Sequence, residues 1–208
     1  GSVGRWAARL ADEVIVMSPE MAAALDVDAH VIAHGIDLDR FRPEPQAACR
    51  AELGWDPETA HVLFPYPPDR PVKDYPRAER IVAAAAADLD CEVELRTVSG
   101  VPHEEMSTYM NAADVLLLTS RREGSPNSVK EAMACRLPVV SADVGDVDER
   151  LDGVEPSAVH TDDSELAASV AEIIRRGERS NGREHIDEIS QAAQVDRLVG
   201  VYQRALDD

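Results

Sequence analysis

A chain of 208 residues is long enough to bury one sizeable core, alone or with an appendage. Its formal charge of −19 excludes the basic footprint that nucleic-acid binding needs. No apolar run approaches the length of a membrane span and no signal-peptide pattern is present, so a soluble, cytoplasmic protein is expected. In chain order, residues 4–11 read as the end of a helix carrying Trp6 and Leu10, and 14–17 as a strand. Ser18-Pro19-Glu20 starts a short helix, with a hydroxyl at the N-cap and a ring that pre-sets φ. A strand over 30–33 leads into the turn His34-Gly35-Ile36-Asp37, and Pro43 to Pro45 marks a boundary. A helix over 47–53 and a strand over 61–64 follow.

Next come Pro65, Pro67, Pro68 and Pro71 in one loop. Such a loop has few backbone states to lose, so it holds its side chains rigidly. It carries Arg70, a planar fork, and Lys73, a point charge. That pair suits a phosphate, although two solvated surface cations would leave the same trace. A helix over 78–89, a strand over 92–98, the loop Ser99-Gly100-Val101-Pro102-His103 and a helix over 104–111 complete the first half.

The richest stretch runs from Asp114 to Val140. Val115 to Leu118 is a continuous apolar run, the pattern of a strand buried on both faces. Ser125-Pro126 reads as an N-cap and first helical residue. Val129, Ala132, Met133 and Leu137 then recur at helical spacing and predict one buried face. The loop before this helix lies at the strand's carboxyl end, where ligands of open α/β sheets sit. The first helical turn offers unpaired amides and the positive end of the dipole, and Gly124 admits a ligand close to the backbone. Glu123 precedes the helix start and Glu131 lies roughly 9 Å along it. Two acceptor-only carboxylates flanking an anion site suit hydroxyls at both ends of a diphosphate. A helix-dipole partner at Glu123 and a solvated charge at Glu131 are the plainer alternative. Beyond Val140, Ser141 to Asp146 is another carboxyl-end turn, expected under the diphosphate, and 158–160 a short strand. Helices are expected over 164–175, after Asn181-Gly182, and over 194–206, the last with Leu198, Val201 and Leu206 on one face.

Alternating strands and helices predict an α/β fold with a doubly wound, Rossmann-like parallel sheet. The Gly-rich dinucleotide fingerprint and the P-loop are both absent. Asp-x-Asp occurs four times, but 21 aspartates produce that pattern readily, so no metal and no cofactor are assigned.

Glu123 and Glu131, with seven residues between them inside Glu-Gly-Ser-Pro-Asn-Ser-Val-Lys-Glu-Ala-Met-Ala-Cys-x-Leu-Pro-Val-Val, closely resemble the signature of retaining GT-B glycosyltransferases of family 4. The resemblance covers nearly the whole chain and weakens after about Ala158. It implies transfer of a hexose from a nucleoside diphosphate sugar to a glycan, lipid or small-molecule acceptor, without a metal. It implies that Glu123, Arg70 and Lys73 act in catalysis and that Glu131 binds the ribose hydroxyls. The amides of Gly124, Ser125, Pro126, Asn127 and Ser128 would face the diphosphate, proline contributing no N–H itself. Gly100, Val101 and Pro102 would lie against the nucleobase, and His103 would either contact the base or cap the next helix. Residues 1–45 then resemble the tail of an acceptor-side domain, and 46–208 the donor-binding domain, with the last helix crossing back. By this expectation the 208 residues alone hold donor groups but no complete acceptor site, and the parent's association with a membrane surface is compatible with it. His34 stands where the family usually has Asn, and Arg136 where it has a small residue or Asn. A non-catalytic nucleotide-binding module and another GT-B enzyme, such as a nucleotide-sugar epimerase or a glycan phosphorylase, are the rival readings.

Cys49, Cys91 and Cys135 are widely spaced, each in a predicted apolar element, and are expected to be buried free thiols. The positive charge is carried by 19 arginines and only Lys73 and Lys130 as lysines. Acidic excess with little lysine resembles proteins adapted to high salt; an ordinary acidic protein from a GC-rich genome is the alternative. Salt adaptation predicts a melting temperature that climbs between about 0.1 M and about 2 M KCl, because the Debye length shrinks from about 10 Å to under about 3 Å. A flat melting curve across that range would remove the idea.

Overall fold

The computed structural model describes residues 6–207 apart from Arg9 and Ser18. The predicted cap at Ser18 therefore lies outside the described residues, as do Gly4, Arg5 and Arg9 of the first predicted helix; residues 6–8 are helical. Two compact units divide the chain, one spanning Leu38–Ile186 and a smaller one built from the segments up to Asp37 and from Asp187 onward.

In the smaller unit, β1 (Ile15–Val16), α1 (Pro19–Leu25) and β2 (His30–Val31) form a strand–helix–strand whose two strands pair in parallel. The chain then turns at Gly35. A Cβ there would lie 2.6 Å from the Ser190 carbonyl oxygen, so only glycine lets the two backbones approach. The Ile36 N–H donates to Ile189 O and the Gln191 N–H to Ile36 O, binding the turn to the final segment.

The larger unit opens with α2 (Gln46–Leu53), which ends at Gly54 in the left-handed region, φ 65°. The strands β3 (Ala60–Phe64), β4 (Val93–Thr97), β5 (Val115–Leu118), β6 (Val139–Ala142) and β7 (Ala158–His160) form one parallel sheet in the order β4-β3-β5-β6-β7. The intervening helices are α3 (Tyr75–Ala86), α4 (Met106–Ala112), α5 (Asn127–Ala134), α6 (Val147–Arg150) and α7 (Asp163–Arg176). Val62, Phe64, Val115, Leu117 and Val140 pack against Ala78, Ile81, Ala85, Leu166 and Val170 of α3 and α7. The alternate residues Leu63, Leu116 and Leu118 point to the opposite face and are equally buried. Covering on both faces is why β3, β5 and β6 are buried throughout and largely apolar, with His61 and Ser141 the polar exceptions. Each fully buried large apolar side chain contributes about 1.5–3 kcal/mol.

Asp114 anchors the amino end of β5. Its carboxylate accepts from both Arg50 Nη2, at 2.7 and 2.8 Å, and the His61 N–H, at 2.7 Å. α7 begins one residue before its predicted start because Asp162 caps it, accepting from the Ser164 and Glu165 amides. Arg136 follows α5 at φ 58°, a left-handed position that Gly and Asn adopt more readily than Arg. A non-glycine residue costs about 1–2 kcal/mol in that region, and the Arg136 guanidinium offsets part of this by donating to Glu184 at 3.1 Å.

Several expectations are corrected. The helix over 104–111 is a 3-10 turn, His103–Glu105, followed by α4. The segment after Asn181 is not a full helix but two 3-10 turns, Gly182–His185 and Asp187–Ile189. Gly182 sits so close to Met133 that a Cβ would lie 2.9 Å from its Cα. Cys91 is exposed, since α3 stops at Ala86 and Cys91 falls in the turn before β4; Cys49 and Cys135 are buried. The last helix, α8 (Gln191–Asp207), buries Val201, whereas Leu206 is 85 % exposed. Among the described residues no helix is long and apolar enough to cross a membrane.

Candidate active site

After β3 the chain pairs β4 on one side, then returns to place β5 on the other. The reversal opens a crevice at the carboxyl ends of β3 and β5, the usual ligand position in doubly wound sheets. The proline-rich loop after β3 and the loop after β5 both lie there, and hydrogen bonds join them. Thr119 Oγ1 donates to the Lys73 carbonyl at 2.9 Å, and the Arg121 N–H to the Val72 carbonyl at 2.9 Å.

This junction brings Lys73 and Glu123 together. Lys73 Nζ donates to Glu123 Oε1 at 2.6 Å, with both side chains largely buried. Burial pushes the Lys73 ammonium below its ordinary range, against the pull of Glu123. Nζ also lies 3.5 Å from the ring centroid of Tyr66, a cation–π contact. The Tyr66 hydroxyl meets Ser128 Oγ in the first turn of α5, and burial pushes its pKa well above the ordinary phenol value. Tyr66 was missed by sequence reasoning. The available signal was a large aromatic side chain between Pro65 and Pro67, where a solvated loop has no use for one.

Glu131 is not a solvated charge. It is only 6 % exposed, and burial raises its pKa while His103 holds it down. His103 Nε2 lies 2.8 Å from Glu131 Oε1. His103 does not cap the following helix: Pro102 is the cap of the 3-10 turn, and the imidazole reaches across to Glu131 of α5 while lying obliquely against Phe41. Gly100, at φ 74°, makes the turn of that loop, with Pro102 exposed and Val101 half-buried.

The start of α5 differs from expectation. Pro126 is the N-cap and Asn127 the first helical residue, with no side chain capping the helix. The Ser125 hydroxyl donates instead to Asp146 Oδ2 at 2.8 Å. Every residue of α5 from Ser128 to Ala134 is buried, Lys130 included, so the helix is covered all round rather than on one face. Lys130 Nζ donates to Asn127 Oδ1 at 3.2 Å, and desolvation lowers its pKa against the attraction of Asp146. Sequence reasoning gave Lys130 no role, although it is one of only two lysines and stands next to Glu131. Arg70 is exposed at the lip of the crevice, one residue before the turn Pro71–Lys73. A Cβ on Gly124 would meet nothing within 4 Å, leaving its backbone open to a ligand. Cations, the amino end of α5 and two carboxylates thus belong to the loops and helix at the carboxyl ends of β3 and β5.

The family model for glycosyl transferases group 1 matches residues 73–176. The D-inositol 3-phosphate glycosyltransferase of Geodermatophilus obscurus is 29 % identical over 214 residues, covering 86 % of this chain and 48 % of that protein. The chain spans about half the length of the curated relatives it matches. Sucrose-phosphate synthase from Thermosynechococcus elongatus superposes with a TM-score of 0.80 at 22 % identity, over 99 % of this chain and 61 % of that one. Anabaena Alr3699/HepE in complex with UDP superposes with a TM-score of 0.75 at 18 % identity, over 96 % and 66 % respectively. These two likenesses show the fold, that of GT-B glycosyltransferases. With half of its length matched by the family model, signature loop included, the chain belongs to the glycosyl transferases group 1 family.

Proposed function

We propose that this chain is the donor-binding half of a retaining, metal-independent glycosyltransferase of family 4, and that the donor is a uridine diphosphate hexose. The observation that carries the reading is the crevice itself. The Lys73–Glu123 pair and the start of α5, which carries the buried Glu131, follow the strands on either side of the sheet's switch point. HepE, which shares the fold, binds UDP and UDP-glucose, and that supports a nucleotide-sugar ligand here. Arg70, Lys73 and the first turn of α5 receive the diphosphate, Glu123 the hexose and Glu131 the ribose. As the glycosidic bond breaks, negative charge grows on the departing diphosphate. Cations and amides already aimed there act on the transition state more than on the bound donor. The acceptor, a glycan, lipid or small molecule, attacks from the side that an acceptor domain supplies. The smaller unit belongs with that domain and the returning last helix, a reading supported by the grouping of its two segments.

The test is a calorimetric titration of UDP and of uridine into the wild-type chain and Arg70→Ala. UDP affinity should fall by about tenfold, as for a lost hydrogen bond to a charged group, with uridine unchanged. Equal losses for both ligands, or no UDP binding by the wild type, would overturn the reading. UDP-glucose held without release of UDP in the presence of acceptors would favour a binding module instead.

A further inference from the structure

Asp146 closes the turn expected under the diphosphate, and its bonds converge on the loop that carries the anion site. Its backbone N–H donates to the Gly124 carbonyl at 3.0 Å. Its Oδ2 accepts from Ser125 Oγ at 2.8 Å and from Arg150 Nη2 at 2.9 Å. Gly145, at φ 60°, packs so tightly that a Cβ would stand 2.2 Å from the Gly124 carbonyl oxygen. The β6 loop therefore clamps the β5 loop at the two residues before α5 is capped. No side chain caps α5, so these bonds are what hold the chain at the two residues before its N-cap.

We propose that Asp146 is the positioning residue of the diphosphate loop, holding Gly124 and Ser125 so that the first amides of α5 face the donor. The inference rests on the donor-site reading above. A carboxylate beside an anion site would repel the ligand unless its charge were spent. Here Arg150 bonds it directly and the buried Lys130 ammonium attracts it. Arg150 and Lys130 thus offset the Asp146 carboxylate within the loop, so that it does not repel a diphosphate. Asp146 Oδ1 is buried without a hydrogen-bond partner among the described residues, so the carboxylate is held in place by Oδ2 and by its own backbone.

The test compares wild type, Asp146→Ala, Asp146→Asn, Ser125→Ala and the Ser125→Ala/Asp146→Ala double variant. Without ligand, amide hydrogen exchange over residues 124–128 should be about tenfold faster in Asp146→Ala, as expected when one bond to a charged group is lost. UDP affinity should fall by a similar factor with uridine affinity unchanged. Asp146→Asn, which keeps an acceptor for Ser125, should restore much of both. The double variant should be no worse than Asp146→Ala, since the two residues act through one bond. Unchanged exchange over 124–128 in both single Ala variants, or fully additive losses in the double variant, would overturn the proposal. Because exchange is read in the free chain, failure of the wild type to bind UDP would sink the donor reading while leaving Asp146 to be judged on its own.

Discussion

Replacing Glu131 with Ala weakens UDP binding by about 1.5–3 kcal/mol, the range for hydrogen bonds to a charged group. Glu131 is 6 % exposed and its carboxylate already accepts from His103, which fixes it in one orientation. A carboxylate has about four lone-pair sites, so a ribose can bond to it beside or in place of the imidazole. The loss should vanish with 2′,3′-dideoxy-UDP, which offers no hydroxyl pair. Wild-type affinity for UDP in a folded Glu131→Ala chain would remove the ribose role. Burial also gives Glu131 a signature in stability. Its folded pKa lies above the unfolded value, so across that window the folded chain binds more protons than the unfolded one. Its contribution is present below the ordinary carboxylate pKa and is lost as pH rises through the raised one. Glu131→Gln should flatten this slope.

Lys73→Ala has the other large effect, and it acts on the fold and the site together. The Lys73 and Glu123 side chains are 8 % and 15 % exposed, and the pair spans two loops 50 residues apart in sequence. Removing one partner leaves a buried charge uncompensated, which costs about 3–5 kcal/mol. Removing both charges, as in Lys73→Met with Glu123→Gln, should recover most of that stability, because the desolvation penalty disappears with the attraction. UDP binding should be lost in both variants. Urea unfolding of the single and double variants measures this. A Lys73→Ala chain as stable as wild type would mean that the ion pair carries no weight in the fold.

The strands were legible because parallel sheets covered on both faces leave continuous apolar runs at 62–64, 115–118 and 139–140. The helices of the larger unit were legible from their spacing, and the anion loop from a chemistry that is local: a turn, a helix start and two carboxylates within nine residues. Periodicity reports which face of an element is apolar. It does not report which loop another loop will meet. Lys73 meets Glu123 because the strand order reverses between β4 and β5, a choice made by packing of the whole sheet. For the same reason Ser125, a sound N-cap by its neighbours, was drawn off to Asp146 by a glycine turn 20 residues away. The helix spacing predicted one buried face, and only the layers closing around α5 buried Lys130 and Glu131 with the rest of it. What the sequence determined by itself was the set of elements, the chemistry of the loop and hence the family. Only the tertiary structure decided the partners of its charges, since an ion pair or a displaced cap is a contact across the fold, between residues that no local pattern couples.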